Sequence, residues 1–244
     1  MASDEPRSIE PFSGPVDATV TLPGSKSITN RALVCAALAD GESILLNALQ
    51  ADDVVAMQLG LRALGVEVWS AGELDGEPED FVQVFGCGGR PSADVAFVDA
   101  HLSGTTSRFL LPVAALVAGT VRVDGGKRLR ARPMGPSIDA LRALGVTVVD
   151  AGAPGHLPVD ISGGPAVGGE ISVSGDISSQ FLSGLLLAAP AMRTGLTIRL
   201  DGDLVSQPYV DMTVAVMADF GVQVDRPDPR TWRIEPQTYR AAQY

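Results

Sequence analysis

Hydrophobic residues fall along this chain in two alternating patterns. Residues 32–38, 109–117 and 181–189 are apolar on nearly every side, whereas residues 52–64 carry apolar side chains at helical spacing with polar ones opposite. A helix that is hydrophobic all round belongs in an interior, and a one-sided helix lies against it. Between them lie short β-rich runs at 18–22, 43–46, 66–69, 81–85, 95–98, 121–124, 170–173 and 196–200, which read as strands.

The pattern repeats. Leu61-Arg-Ala-Leu-Gly-Val-Glu-Val returns as Leu141-Arg-Ala-Leu-Gly-Val-Thr-Val, and more weakly as Met217-Ala-Asp-Phe-Gly-Val-Gln-Val. Their glycines, Gly65, Gly145 and Gly221, keep step with a second set, Gly41, Gly119 and Gly195, at a period near 78 residues. That period is too long for a solenoid unit, so each copy is an assembly of several elements. Each parses as strand, apolar helix, strand, amphipathic helix and two closing strands. The first helices open at Ser25-Lys-Ser, Ser103-Gly-Thr and Ser178-Ser-Gln, and both sets of glycines are expected as left-handed C-terminal caps. Pro112, inside the second apolar helix, predicts a bend. Asp52 and Asp53 are expected to cap the first amphipathic helix rather than to form a catalytic pair.

Burial then dictates architecture. The expected fold is mixed α/β (α+β): one pseudo-threefold domain of three β-α-β-α-β-β repeats, with buried central helices and sheets outside. The expected segments are 1–18 as an N-terminal extension, 19–234 as the domain (repeats near 19–92, 93–168 and 169–234), and 235–244 as a tail. Threefold symmetry also gathers equivalent helix starts at one end. That brings Lys26, Ser27 and Arg31 near Gly104, Thr105 and Arg108, and near Ser178, Ser179 and Gln180. The loops before the amphipathic helices add Arg132, with Pro133 in a helix-opening position, and Ser206 with Tyr209. Helix starts carry unpaired N–H groups and positive potential, and hydroxyls and cations beside them suit a small ligand with more than one negative group. The plain alternative is an N-capped helix start beside solvated cations. Leu22-Pro-Gly-Ser-Lys-Ser is not a nucleotide-hydrolase phosphate loop, because Ser25 separates Gly24 from Lys26.

Composition sharpens this. The 244 residues carry a net charge of −11, which argues against nucleic acid and anionic membranes as partners. Against that background the only two lysines, Lys26 and Lys127, both lie in basic clusters, the second with Arg128, Arg130 and Arg132. The acidic start is no secretory signal, and no run approaches the roughly 20 apolar residues of a membrane span. Cys35, Cys87, His101 and His156 are isolated, so no metal or disulfide framework is expected, and a cytoplasmic location is.

Leu-Pro-Gly-Ser-Lys-Ser-Ile-Thr-Asn-Arg-Ala (22–32), the Ser103-Gly-Thr-Thr-Ser-Arg helix start, Arg130-Ala-Arg-Pro-Met-Gly-Pro, Ser174-Gly-Asp-Ile-Ser-Ser-Gln and Gly202-Asp-Leu-Val-Ser-Gln-Pro-Tyr resemble the 5-enolpyruvylshikimate-3-phosphate synthase family. The resemblance runs from about Leu22 to Val224. It implies two similar domains in a chain close to twice this length, of which this would be the N-terminal half. Residues 1–18 and 235–244 would then belong with the other domain and lack their usual partners here. It also implies transfer of the enolpyruvyl group of phosphoenolpyruvate to the 5-hydroxyl of shikimate 3-phosphate, through a tetrahedral addition product and without a cofactor, in a monomer.

Carried over residue by residue, the resemblance gives Lys26 the catalytic place, meeting both the reacting hydroxyl and phosphoenolpyruvate. Ser27 and Arg31 would hold the shikimate carboxylate. Ser178, Ser179 and Ser206 would bind the 3-phosphate, with Tyr209 at the ring. Arg132, Gln180 and the backbone at Gly104 would hold the phosphoenolpyruvate phosphate, with Arg108 beside them. Leu102 stands where the family commonly has Asn, so a side-chain contact is lost there. The family's general acid and base lie in the other domain, and this half alone is expected to be inactive. The enolpyruvyl transferase acting on UDP-N-acetylglucosamine is a weaker resemblance: Ser27 replaces its usual Asn, and no Cys lies near 127–132. A phosphate-binding scaffold is the non-enzymatic alternative.

Overall fold

A computed structural model describes residue 8 and residues 10–70, 73, 81–162, 164–174 and 178–244. Three apolar helices form its centre: α1 (Lys26–Leu38), α3 (Gly104–Ala114) and α6 (Ser179–Ala188, followed by a 3-10 turn, Ala189–Ala191). The three touch one another pairwise. Leu33, Leu110, Leu111, Leu182 and Leu186 are fully buried there, as the all-round apolar pattern requires.

Around them lie the amphipathic helices α2 (Asp52–Ala63), α5 (Gly135–Ala143) and α7 (Gln207–Asp219), with a one-turn α4 (Lys127–Arg130) in the basic loop. The strands are β1 (Ala39–Leu45), β2 (Glu67–Ser70), β3 (Val82–Cys87), β4 (Val95–Asp99), β5 (Thr120–Asp124), β6 (Thr147–Asp150), β7 (Val159–Ser162), β8 (Gly169–Ser174), β9 (Leu196–Asp201), β10 (Asp225–Asp228), β11 (Thr231–Ile234) and β12 (Tyr239–Arg240). They make three four-stranded sheets, in the orders β12-β1-β3-β2, β4-β5-β7-β6 and β8-β9-β11-β10. Strands such as β4 and β8 alternate buried and exposed residues, so each sheet turns one face to the helices and the other outward. No helix among the described residues is long and apolar enough to cross a membrane.

The two glycine sets have different jobs. Gly65, Gly145 and Gly221 have φ of 87°, 80° and 81° and end α2, α5 and α7 as expected. The N–H of each binds the carbonyl three residues back, and the next N–H (Val66, Val146, Val222) binds the one five back, a Schellman pattern. Gly41, Gly119 and Gly195 do not cap helices, contrary to the sequence expectation. Gly41 lies inside β1, and α1 runs straight into that strand. A Cβ at Gly119 would fall 1.9 Å from the Asp94 carbonyl oxygen, and one at Gly195 would fall 2.1 Å from that of Ile234. Close backbone approach, set by tertiary packing, is what selects glycine at these two positions.

α3 continues through Pro112 to Ala114. Proline has no N–H for the Arg108 carbonyl, and that oxygen faces Gly184 of α6, where a Cβ would come within 2.3 Å. The missing donor and the missing side chain meet at one point, and α3 and α6 pack closely there.

The sharpest departure concerns the first repeat. Residues 18–22 form no strand and are exposed, with Val20 and Leu22 at 75% and 74%. The place beside β1 that β4 and β8 fill in their own sheets is taken by β12, parallel to β1, with Ala39 opposite Tyr239. The tail therefore does not stand without partners. Ile44 N–H donates to the Ala242 carbonyl, and Leu46 N–H to that of Tyr244. The Tyr239 ring is buried, and its hydroxyl donates to the Leu187 carbonyl at 3.0 Å. Tyr244 stacks at a tilt on Phe220. Two aromatic anchors give this segment more apolar area to bury than residues 18–22 offer. Residues 1–7, 9, 71–72, 74–80, 163 and 175–177 lie outside the described residues, including Gly175-Asp-Ile of the motif that starts at Ser174.

If β12 closes the first sheet, Tyr239→Ala should destabilise the chain by about 3–5 kcal/mol, the range for removing a buried aromatic side chain. Tyr239→Phe should cost only about 0.5–1.5 kcal/mol, the worth of one neutral hydrogen bond. Urea denaturation followed by circular dichroism reads both, and equal midpoints for Tyr239→Ala and the parent chain would refute the closure.

Candidate functional site

The three central helices begin alike. Ser25, Ser103 and Ser178 each occupy the N-cap and accept from a backbone N–H of the first turn: Ile28 at 3.5 Å, Thr106 at 3.1 Å and Gln180 at 3.4 Å. None of the three has an acidic residue in its first turn, so the positive ends of their dipoles go uncompensated from within. Gly24, expected to let an anion approach, instead lets the Asn47 carbonyl approach, since a Cβ there would lie 1.9 Å from it.

Lys26, at the start of α1, is half-exposed and pairs with Asp53 of α2 at 2.6 Å. Asp52 and Asp53 do not cap α2. Ala51 holds that position with no side-chain cap, leaving both aspartates in the first turn. Burial pushes the Asp53 carboxyl up, but hydrogen bonds from Lys26 and Ser103, with the charges of Lys26 and Arg132, outweigh it and leave the group below its usual value. The Thr106 hydroxyl donates to the Asp53 carbonyl and ties the starts of α2 and α3 together.

On α3, Arg108 donates to the Gln180 side-chain oxygen at 2.8 Å, and Gln180 donates to Thr105 at 3.1 Å, linking the starts of α3 and α6. The Arg108 guanidinium also lies over the Phe181 ring, and its buried Nε has no partner. A Cβ at Gly104 would sit 2.7 Å from Arg108 Nη1 and 2.9 Å from Arg132 Nη1, so two guanidinium nitrogens crowd one point above a bare glycine. Burial, then the Arg132 charge, lowers the pKa of Arg108. The Arg132 side chain makes no hydrogen bond or ion pair with a described residue, while its backbone N–H donates to the Leu129 carbonyl at 2.9 Å. Pro133 does not open a helix, because α5 starts at Gly135 with Pro136 in its first turn. The other basic residue expected nearby, Arg130, is held by both oxygens of Asp124.

Arg31 is 2% exposed. Its Nη1 donates to the Ser27 carbonyl at 2.8 Å, its Nε to the Thr213 hydroxyl at 2.8 Å, and its Nη2 to Ser183 at 3.3 Å and to the Tyr209 carbonyl at 3.2 Å. The Phe109 ring covers one face of the guanidinium. Burial brings its pKa down to about 10, against the raising influence of Cys35 and Tyr209. Among the described residues Arg31, Arg108 and Arg132 have no carboxylate partner, although the chain is acidic overall.

The structure thus joins Lys26 to α2, Gly104 to Arg108 and Arg132, Arg108 to Gln180, and Arg31 to Ser27 and Tyr209. Ser178 is exposed and Ser179 buried, and neither bonds to Ser206. Ser206 is the N-cap of α7, and its side chain makes no cap bond. The Tyr209 side chain is 48% exposed. Sequence reasoning missed Asp53 as a partner of Lys26, and it missed Ser183 and Thr213. One hydroxyl in the apolar body of α6 after its first turn, and a Thr one helical turn after Tyr209, were the available signals. A cavity of about 540 Å³, lined by Asp52, Asp53, Val55, His101, Leu102 and Ser103, borders this cluster without enclosing Lys26 or the arginines. Lys26 is half-exposed, whereas Arg31 is buried, so only part of the cationic cluster is open to solvent.

A family model for EPSP synthase (3-phosphoshikimate 1-carboxyvinyltransferase) matches residues 12–244. The 3-phosphoshikimate 1-carboxyvinyltransferase of Rhizobium leguminosarum is 41% identical over 239 residues, covering 97% of this chain and 54% of that protein. Its counterpart in Nostoc sp. is 42% identical over 231 residues, with coverages of 94% and 53%. That of Methanothermobacter thermautotrophicus is 40% identical over 232, with 95% and 53%. The chain spans about half the length of the curated relatives it matches. An EPSP synthase structure from Acinetobacter baumannii has the same fold, with a TM-score of 0.76 at 23% identity, over 92% of this chain and 49% of that one.

The Lys26–Asp53 pair yields a pH expectation. A carboxyl held below its usual value adds stability above its unfolded pKa, near 3.9, and loses it as pH falls through the lower folded value. Asp53→Asn should therefore cost about 1 kcal/mol or less at pH 7, given the exposure of the pair. The gap from the parent chain should narrow toward the acid limit of the folded state. A gap independent of pH in urea titrations would show that the carboxylate charge is not what matters.

Proposed function

Because the chain belongs to the EPSP synthase (3-phosphoshikimate 1-carboxyvinyltransferase) family, we propose that it carries one face of an enolpyruvyl transferase site. In the reaction, the 5-hydroxyl of shikimate 3-phosphate loses its proton as its oxygen bonds to the central carbon of phosphoenolpyruvate, while the methylene carbon gains a proton and becomes a methyl. The tetrahedral product then loses a proton from that methyl and expels phosphate, which restores the enol double bond. The observation that carries the reading is the set of three guanidiniums at the helix starts without carboxylate partners. A buried or crowded cation needs an anion, and a substrate pair with two carboxylates and two phosphates supplies several.

In this reading Lys26 meets the reacting hydroxyl and phosphoenolpyruvate, and Asp53 holds the ammonium until they arrive. Arg132, Arg108, Gln180 and the Gly104 backbone take the phosphate that leaves. Ser178, Ser179 and the uncapped Ser206 receive the 3-phosphate at two helix starts, with Tyr209 at the ring. Ser27, and the one N–H that Arg31 has left, face the shikimate carboxylate. Preorganised donors of this kind stabilise developing charge without reorganising. In this reading the groups that move protons and hold the phosphoenolpyruvate carboxylate come from residues beyond this chain, which spans about half the length of its relatives, and this chain alone turns nothing over. A monomer in the cytoplasm is the matching setting, and both cysteines are free thiols.

Calorimetry on this chain with shikimate 3-phosphate, UDP-N-acetylglucosamine and inorganic phosphate tests the reading. Selective heat with the first is expected; an equal response to any phosphate would leave only an anion-binding scaffold. Ser206→Ala should weaken shikimate 3-phosphate binding by about 1.5–3 kcal/mol, the range for a hydrogen bond to a charged group. In the enzyme completed by the residues beyond this chain, Lys26→Met should lower kcat about 100-fold or more, and near-parent turnover would remove Lys26 from its place.

A further inference from the structure

The buried cluster behind the site has a closed hydrogen-bond order. Thr213 is completely buried on α7, and so is Ser183 on α6. The Thr213 hydroxyl accepts Arg31 Nε–H at 2.8 Å and donates to the Tyr209 carbonyl at 2.9 Å. Its own proton is then committed, so in the Ser183–Thr213 contact at 2.8 Å Ser183 is the donor, while accepting from Arg31 Nη2. Every hydroxyl proton in the cluster has one place to go.

We infer that Thr213 is a positioning residue that aims Arg31 at the ligand and holds Tyr209 in the same act. Guanidinium is planar and has five N–H groups. Four are taken, by Thr213, Ser183, Tyr209 and Ser27. Fixing Nε and Nη2 fixes the plane, and the plane fixes the direction of the one N–H left on Nη1. That nitrogen is also the one bound to the Ser27 carbonyl, so the free N–H lies next to the first turn of α1. The Tyr209 carbonyl, held by both Thr213 and Arg31, belongs to the first turn of α7, whose N-cap is Ser206. One hydroxyl thereby sets the angle between two helix starts that would grip one substrate. The inference rests on the reading above for that ligand, shikimate 3-phosphate.

Thr213→Val keeps the shape and removes the hydroxyl; Thr213→Ser keeps the hydroxyl. Calorimetry should show Thr213→Val losing about tenfold or more in shikimate 3-phosphate affinity, with inorganic phosphate affinity nearly unchanged and Thr213→Ser recovering most of the loss. An independent readout needs no ligand: hydrogen exchange of Arg31 Nε–H by NMR should be slow in the parent and in Thr213→Ser, and at least about tenfold faster in Thr213→Val. Unchanged shikimate 3-phosphate affinity in Thr213→Val overturns the inference, as does a parallel loss for both ligands, which marks a merely structural residue. If the parent chain itself does not bind shikimate 3-phosphate, the substrate reading fails and Nε–H exchange alone decides. Equal exchange in all three proteins then overturns the positioning role.

Discussion

A positive charge buried without a counter-charge is the constraint around which this domain is arranged. Taking a guanidinium from water costs several kcal/mol unless every polar atom finds a partner. Arg31 meets that condition only because three helices and an aromatic ring converge on it: Ser27 from its own helix, Ser183 from α6, Tyr209 and Thr213 from α7, and Phe109 from α3. Those partners come from all three repeats. The threefold packing of apolar helices and the polar cluster at their upper ends are therefore one arrangement. A shift of any helix would strip a partner from the charge.

The same economy appears one layer out. Lys26 is ion-paired with Asp53 of the first repeat, while Arg108 and Arg132 of the second repeat have no ion pair among the described residues, Arg132 meeting Asp53 only through longer-range attraction. Like charges crowded over a glycine repel one another, and in the proposed function a bound anion is what would relieve that repulsion. The net charge of −11 then works at long range in the opposite sense: it repels anionic partners everywhere except where cations and helix starts are concentrated.

What was legible in the sequence was what is local. The three serine caps, the three Schellman glycines and the apolar helices are fixed by residues a few positions apart, and pattern reading places them. Gly119 and Gly195 misled because glycine there answers to a carbonyl far away in the chain, a reason that leaves the same letter as a cap. Asp53 read as a cap because aspartate near a helix start usually is one; its partner Lys26 lies 27 residues earlier. Residues 18–22 have a strand's composition and a strand's place in the repeat, but the outcome was a competition with a segment more than 200 residues away. Ser183 and Thr213 were missed for a different reason: a hydroxyl on a helix marks a break in the apolar pattern, but its partner is unknown until the neighbouring helix is placed.

That competition has a consequence for how the chain is born. β1 leaves the ribosome ahead of its parallel neighbour Tyr239, which lies 200 positions later. At ordinary translation speeds β1 waits about 10–40 s for it. During that interval β1 has a bare hydrogen-bonding edge, and residues 18–22 sit close by in sequence, free to fill it. A nascent chain can therefore borrow its own beginning as a temporary edge guard against aggregation, to be displaced when the aromatic end arrives. The order of synthesis, and not only the final energy, then bears on which segment closes the first sheet.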